Sequence, residues 1–283
     1  TWSSPATNRL LLDAAAGTNL IRWGGKERPG NDRTLVPVQD QAGLIPNLWY
    51  RSQRQWSRHW IGVYNWRASA SYITGAHSLK FGDQGTYNQA DTTNFRPDAR
   101  LEYRLRDGVP NRLTMYGDWG ATTRNRTSGA AFYAQEQWTI DRLTLQGGLR
   151  YERAWSWAPQ QQIGPDLFIP TAIVIPKTNG VDAFNDITFR TAATYDLFGT
   201  GKTAIKVNLG EYLEVAQNSG RYTATNPRNR IDTNTNRNWT DADADFVPDC
   251  NLLDPAANGE CGAWSDRGFA QDIFTTTFDP ALT

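Results

Sequence analysis

Apolar and polar residues alternate along much of the chain, most regularly in the segment 131–154. There Leu143, Leu145 and Leu149 occupy alternate positions, with polar residues between them. A side-chain period of two indicates a β-strand with one apolar face and one polar face. Only residues 140–142 separate this strand from another alternating stretch before it. The segment therefore predicts a hairpin of two long antiparallel strands.

The same pattern predicts further strands and a regular order of connections. The nine predicted strands are residues 8–15, 56–73, 77–87, 98–106, 112–119, 131–139, 143–154, 187–197 and 203–213. The tight connections are 74–76, 108–111, 140–142 and 198–202, and those between them are longer. Short turns at one end and long loops at the other are typical of outer-membrane barrels, whose strands cross the bilayer in about 9–11 residues.

Composition favours a membrane barrel over a soluble sheet sandwich. Hydrophobic residues make up only 39% of the chain, yet it has 12 Trp, 11 Tyr and 11 Phe. A polar lumen and aromatic girdles at the lipid interfaces account for this combination. Basic and acidic residues balance at 29 each, so the charge does not suggest a nucleic-acid partner. The sequence has no apolar run of about 18 residues that would make a transmembrane helix.

The predicted fold is all-β: an antiparallel up-and-down transmembrane β-barrel, partial because nine strands do not close a bacterial barrel. We expect residues 1–283 to form this partial domain, with 214–283 mostly a long extracellular loop. The residues predicted to face the lumen are Arg100, Glu102, Arg104, Arg106, Arg150, Glu152, Arg190, Asp196 and Lys206. The predicted aromatic girdle contains Trp66, Tyr103, Trp119, Trp138, Tyr151 and Tyr195. Glu136 falls on the apolar face, so either it lies near the periplasmic rim or the predicted register is wrong.

The segment 241–261 has the spacing of a cation site. The candidate ligands, at loop positions 1, 3, 5, 7 and 9, are Asp241, Asp243, Asp245, the Val247 carbonyl and Asp249. Ca²⁺ binds six to eight oxygen atoms, and acidic loops supply them at such a spacing. Phe246 and Leu252 replace the glycine and the glutamate of an EF-hand, so the loop is closer to the aspartate loops of thrombospondin-type repeats. The alternative is a solvated acidic loop that binds no cation.

Cys250 and Cys261 bracket a short loop, and we expect a disulfide between them if the loop faces the extracellular medium. Such a bond stabilises a short loop by about 2–3 kcal/mol. Two reduced thiols in a cytosolic protein are the alternative. The only histidines, His59 and His77, are predicted to lie far apart. Because the sequence has no nucleophile elbow, paired-histidine helix motif or phosphate loop, we expect that the protein is not an enzyme.

Three segments resemble the barrels of TonB-dependent outer-membrane receptors. Residues 132–152, FYAQEQWTIDRLTLQGGLRYE, resemble a hairpin that recurs in these barrels and contains a tyrosine, a glutamine, an acidic residue and a tryptophan in that order. ITFRTAATYDLFGTGKTAIKVNLGEYLE, residues 187–214, resembles a later strand–turn–strand, especially in the Oar-like branch with a carboxypeptidase-regulatory-like domain. NWTDADADFVPDCNLLDPAANGECGAW, residues 238–264, is similar to a long surface loop of that branch.

The resemblance implies a barrel of about 22 strands around an N-terminal plug, which takes up scarce nutrients with energy from TonB. Because plug, TonB box and terminal aromatic strand are missing, we expect an internal fragment from the outer membrane of a Gram-negative bacterium. The expected partners are outer-membrane lipid, the TonB complex through the missing plug, and an unidentified extracellular ligand. Two alternatives stay open: a structural or adhesive surface protein without transport, and a secreted β-domain that binds carbohydrate through exposed tryptophans.

Overall fold

The alternating segments form strands in a computed structural model that describes residues 1–182 and 184–271. The predicted all-β class with antiparallel sheets is confirmed, with 55% strand and 3% helix. In chain order the strands are β1 (Trp2–Pro5), β2 (Leu10–Trp23), β3 (Val38–Asp40), β4 (Leu48–Tyr50), β5 (Trp56–Thr74), β6 (His77–Phe95), β7 (Leu101–Arg106), β8 (Val109–Tyr116), β9 (Thr122–Ile140), β10 (Leu143–Ala158), β11 (Gln161–Ile163), β12 (Ile173–Ile175), β13 (Thr178–Asn179), β14 (Phe184–Asp196), β15 (Ala204–Gly210) and β16 (Asn234–Asn238). The helix α1 (Arg221–Ala224) and a 3₁₀ turn (Pro227–Arg230) lie between β15 and β16.

A large antiparallel sheet has the strand order β1-β2-β5-β6-β9-β10-β14-β15, with β13 paired to β10. Its short turns, 6–9, 75–76, 141–142 and 197–203, lie at one end, which we call the short-turn end. The long connections 24–55, 96–121 and 159–183, and the chain after 210, leave from the opposite end. The two edge strands, β1 and β15, each have one partner among the described residues, and the sheet is not closed into a barrel.

Two of the nine predicted strands belong to a different sheet. The predicted strands 98–106 and 112–119 correspond to β7 and β8, which lie in a small sheet of order β16-β8-β7-β3-β4. This sheet is mainly antiparallel, with β3 and β7 parallel. The prediction that they continue the meander is wrong, because alternation shows that two faces differ and does not identify the neighbouring strand. The other seven predicted strands are β2, β5, β6, β9, β10, β14 and β15 of the large sheet.

The small sheet has the principal hydrophobic core among the described residues. Its buried members are Val38, Leu101, Tyr103, Leu105, Leu113, Met115, Phe168, Trp239, Cys261 and Phe269. Trp239 and Phe269 come from the segment predicted to be mostly a loop, and β16 of that segment pairs with β8. Residues 214–271 are thus structured, and their part from β16 onward belongs to the small-sheet region, whereas the predicted loop residues 272–283 lie outside the described part. No helix in the described ranges has the length and hydropathy required to cross a membrane.

Candidate functional site

The register of the large sheet places the alternating apolar side chains of its long strands on one face. One row of directly paired residues across six strands contains Leu12, Ala70, Phe81, Ala134, Leu149 and Phe189. We call the face that carries this row the apolar face. Phe81 is 53% exposed, Leu149 61% and, in the next row, Ile187 71%. An apolar face of this extent is unusual on a soluble monomer and marks a surface for lipid or for another protein.

Four of the six predicted girdle residues lie on the apolar face. Trp66, Trp138, Tyr151 and Tyr195 are each about 40% exposed there. The Trp66 ring lies over Gly85 of the neighbouring strand, where an added Cβ would approach the ring to 2.1 Å. The glycine therefore provides the space that this tryptophan occupies.

The assignment of Tyr103 to this girdle is wrong, whereas Trp119 is 37% exposed and lies edge-on to Phe95 of β6, with ring centres 6.2 Å apart. Tyr103 is only 6% exposed, and its ring centre lies 4.6 Å from that of Trp239 in the core of the small sheet. Trp119 follows β8, and the Arg100 guanidinium lies 4.4 Å from the centre of its ring. The prediction for Tyr103 fails because β7, which carries it, belongs to the small sheet.

The opposite face of the large sheet, which we call the polar face, carries five of the predicted lumen residues: Arg150, Glu152, Arg190, Asp196 and Lys206. Arg150 Nε lies 2.7 Å from Glu152 Oε1. The Asp196 carboxylate accepts hydrogen bonds from the backbone N–H groups of Gly199 and Gly201 at 3.1 and 2.8 Å. Asp196 therefore stabilises a short turn.

The remaining predicted lumen residues, Arg100, Glu102, Arg104 and Arg106, do not line the polar face, because they lie on β7 or directly before it. Glu102 is 1% exposed and lies 2.5 Å from Arg54 Nε. Arg96 Nη1 is 3.8 Å from the same carboxylate oxygen. The predicted wall residue is thus part of a buried charge network in the small-sheet region.

A cavity of about 980 Å³ lies against the polar face. Residues from both edges of the large sheet, Trp2 and Asn208, contribute to its lining, so the sheet curls around this face. Its basic lining residues are Arg67, Lys80, Arg150 and Arg190, and its carboxylates are Asp13 and Glu136. Since Glu136 belongs to the apolar face, the cavity wall is mainly basic and neutral polar.

The chain after β15 crosses the polar face at the long-connection end, and we call residues 211–226 the crossing segment. Asn88 Nδ2 donates to the Ala216 carbonyl at 3.0 Å, and Thr127 Oγ1 donates to Asn218 Oδ1 at 2.8 Å. A second cavity of about 540 Å³ lies between the crossing segment and the sheet. The crossing segment has no alternating pattern, so its position on the sheet is not predictable from the sequence.

Glu136 lies on the apolar face of its hairpin, near the short-turn end. Its Oε1 lies 2.6 Å from Nδ1 of His77, the residue that begins β6 after the turn 75–76. The His77 ring stacks on Trp138, with ring centres 5.4 Å apart. The face predicted for Glu136 is thus correct, and its carboxylate contacts a histidine near the short turns of the sheet.

The acidic loop brings together two of the five predicted cation ligands. Oxygen atoms of Asp241, Asp243 and Glu260 lie within 4.8 Å of one another, and this group does not include Asp245, Val247 or Asp249. Asp241 Oδ1 is buried and has no hydrogen-bond partner among the described residues. Desolvation, with the negative charges of the neighbouring carboxylates, raises the pKa of Asp243. The carboxylate oxygens of these three acidic residues are thus close enough together to contact a single metal ion.

Glu260 was missed because it lies beyond the predicted ligand window. Cys250 and Cys261 form the predicted disulfide, with Cα atoms 5.8 Å apart, and this bond holds Glu260 beside the acidic loop. Backbone N–H groups of Ala242 and Asp249 donate to its carboxylate at 2.5 and 3.1 Å and lower the pKa of Glu260. The spacing of residues within 241–249 does not indicate Glu260, because the disulfide brings this residue to the acidic loop.

Buried Arg237 organises the disulfide loop. The side chain is 1% exposed and donates to the carbonyls of Gly262, Asn251 and Ala256 at 2.6, 3.0 and 2.7 Å. Burial lowers the pKa of Arg237. The sequence signal for this role was weak, because Arg237 stands in the polar strand NTNRN without a carboxylate at a fixed spacing.

No protein-family model, curated protein or solved structure matches this chain.

Proposed function

We propose that the chain is a barrel segment of an outer-membrane receptor that takes up a nutrient in a TonB-dependent manner. The observation that carries the proposal is the exposed apolar face, which continues across the long strands of the large sheet. Its reverse side is polar and borders a cavity. Apolar outside and polar inside is the arrangement of a transmembrane barrel wall, in which lipid replaces the protein core as the apolar medium.

The dimensions of the apolar face suit a bilayer. On β2 it extends over ten residue steps from Leu10 to Leu20, which is about 33 Å along the strand. At a strand tilt of about 40° this corresponds to about 25 Å across the bilayer, the height of the apolar band of outer-membrane barrels. The long connections and the small sheet then lie on the extracellular side.

The transport role rests on the resemblance and on the basic cavity of the polar face. A plug domain in the same protein would contact TonB, and the extracellular ligand would reach the cavity past the crossing segment. The small sheet favours a second candidate, a structural or adhesive surface protein without transport. Leu113 and Met115 are fully buried in its core, so the long connections that form this sheet are packed together into a surface that could contact a partner. Energy-dependent uptake that requires a plug would distinguish the first candidate from the second.

The test of membrane location is the extraction behaviour of the protein in native membranes. We expect it to require detergent for release and to migrate differently in electrophoresis before and after heating, because a folded barrel resists the detergent until heated. A known outer-membrane barrel and a periplasmic protein are the controls. Release into aqueous buffer would contradict the proposal and favour the secreted carbohydrate-binding domain.

We further propose that the acidic group of Asp241, Asp243 and Glu260 binds Ca²⁺. All its donors are oxygen atoms, which hard divalent cations prefer, and a cation would give the unpartnered Asp241 Oδ1 a ligand. Calcium is expected to raise the unfolding temperature of the small-sheet region. Asp241→Asn should remove this increase, whereas Asp254→Asn, in the same disulfide loop, should keep it. An equal increase in both variants would contradict the site.

A further inference from the structure

Arginines border the apolar face on the side of the long connections. Arg22 of β2 and Arg124 of β9 occupy the same register row as Trp60 and Asp91 of the strands between them. Arg58 lies one row further from the short-turn end on the same face. All three arginines are exposed. We call Arg22, Arg58 and Arg124 the arginine row.

The charges of the arginine row are not compensated. Within the described part of the chain none of the three guanidinium groups forms an ion pair. Two of them lie over aromatic rings, 5.6 and 4.9 Å from the ring centres. The carboxylate in the row, Asp91, already receives two hydrogen bonds from Arg126, at 2.6 and 3.3 Å. The row therefore presents an excess of positive charge to whatever adjoins the apolar face.

The position of the row matches one boundary of a bilayer. From Leu10 to Arg22 there are twelve residue steps, about 40 Å along the strand and about 30 Å across the bilayer at the same tilt of about 40°. This is close to the thickness of the hydrocarbon core, about 30 Å. At the short-turn end the same face carries Trp138 and Tyr195, and Glu136 lies there in contact with His77. The two boundaries of the apolar face thus differ in composition, with arginines that are unpaired within the described residues at one and aromatic residues beside a carboxylate at the other.

We propose that the arginine row binds the phosphate groups of phosphorylated lipids in the leaflet at the long-connection end. Guanidinium groups donate paired hydrogen bonds to phosphate, and stacking on aromatic rings orients them for that contact. Exposed cations directly above an apolar face are complementary to a molecule that combines acyl chains with phosphate. This inference rests on the proposed function, since it requires the apolar face to contact lipid.

The experiment compares lipid retention by three forms of the whole protein. The first is the wild type, and the second carries Arg22→Gln, Arg58→Gln and Arg124→Gln. The matched control carries Arg28→Gln, Arg106→Gln and Arg112→Gln, three exposed arginines of the long connections and small sheet. Each is inserted into phosphatidylcholine vesicles that contain diphosphoryl lipid A, re-extracted in mild detergent, and its bound lipid A is quantified by mass spectrometry.

We expect the arginine-row variant to retain about tenfold less lipid A than the wild type, and the control to retain as much as the wild type. Each single substitution should lose part of the retention, which keeps the test informative if the triple variant does not fold. Equal retention by the row variant and the control would overturn the inference. Complete displacement of lipid A by millimolar inorganic phosphate would overturn it as well, since the site would then recognise the free anion.

Vesicle flotation separates failure of this inference from failure of the proposed function. If all three forms float with the vesicles and retain equal amounts of lipid A, the membrane location stands and the arginine row is not a lipid site. If the wild type stays in the aqueous fraction, the apolar face does not enter a bilayer, and both the proposed function and this inference are wrong.

Discussion

The large sheet and the small sheet have the same alternation of apolar and polar residues, but they place the apolar side chains in opposite environments. Leu113 and Met115 of β8 are fully buried, whereas Leu149 of β10 is 61% exposed. The apolar face of the small sheet is covered by residues of the same chain. One of them is Trp239, which lies more than a hundred positions after Leu113 in the sequence. The large sheet has no such cover on its apolar face among the described residues. Alternation therefore predicts that a strand has an apolar face, but it does not predict whether other residues of the chain cover that face.

The largest expected effect is the loss of stability when a buried leucine of the small sheet is truncated. Leu113→Ala should lower the free energy of unfolding of the small-sheet region by about 2–5 kcal/mol, because it leaves a cavity in a packed core. Leu44→Ala, at a fully exposed position, should change it by less than about 0.5 kcal/mol. Urea denaturation followed by protease susceptibility measures both. An equal decrease in the free energy of unfolding in the two variants would contradict the packed core of the small sheet.

A charge on the apolar face tests the other half of the comparison. Leu149→Arg should destabilise the protein in lipid vesicles by about 2–4 kcal/mol, because a cation near the middle of the bilayer loses its hydration. Gln146→Arg, on the polar face of the same strand, is the matched control and should cost little. The measurement is reversible unfolding from vesicles in denaturant. If the two variants unfolded alike, lipid contact at Leu149 would be excluded.

High pH should affect the small sheet through Tyr103. Burial raises the pKa of Tyr103 to about 12, from an ordinary value of 10.0. The folded protein therefore favours the neutral phenol. The contribution of this neutral phenol to the free energy of unfolding is complete below pH 10 and is lost as the pH rises to about 12. The loss should reach about 2–3 kcal/mol, measured by urea unfolding across this range with tyrosinate absorbance as the monitor.

The matched variant for this titration is Tyr103→Phe, which keeps the ring against Trp239 and removes the ionisable group. Its unfolding free energy should fall less between pH 10 and pH 12 than that of the wild type. A wild type and variant with the same pH dependence would show that Tyr103 is not buried in this way.

The smallest predicted effect concerns the disulfide loop of the small-sheet region. Cys250→Ser combined with Cys261→Ser should lower the free energy of unfolding by about 2 kcal/mol, because the unfolded chain regains the entropy of an open loop. The unfolding of the large sheet in vesicles should not change, since the loop packs on the small sheet. Parallel destabilisation of both sheets would mean that they unfold as one unit.

Much of the large sheet was predictable because its strands are long and regular. The hairpin of β9 and β10 has the predicted faces, since Leu145 and Trp138 lie side by side on the apolar face, although its turn is one residue shorter than predicted. Alternation determines the faces of a strand, and tight turns determine its partner, so a meander of hairpins needs little further information. The curvature around the polar face and the crossing segment were not predictable, because they depend on contacts distant in sequence.

The small sheet shows where sequence reasoning failed. β16, with the sequence NTNRN, has no apolar alternation, and it was recognised as a strand only in the structure, where it pairs with β8. β7 and β8 were assigned to the meander because their own hairpin looks like the others. In the candidate cation site, Asp241 and Asp243 were predicted from spacing, but Glu260 was not, because the disulfide brings it there.

The central claim, that the apolar face contacts lipid, is tested most directly by the accessibility of labels along β10. Nitroxides attached at Leu145, Gln146, Leu149 and Arg150 in vesicle-reconstituted protein are exposed to oxygen, which concentrates in lipid, and to a water-soluble nickel complex. We expect labels at Leu145 and Leu149 to collide mainly with oxygen, and labels at Gln146 and Arg150 to collide mainly with the nickel complex. Nickel accessibility at all four positions would contradict it, since water would then cover both faces of the sheet.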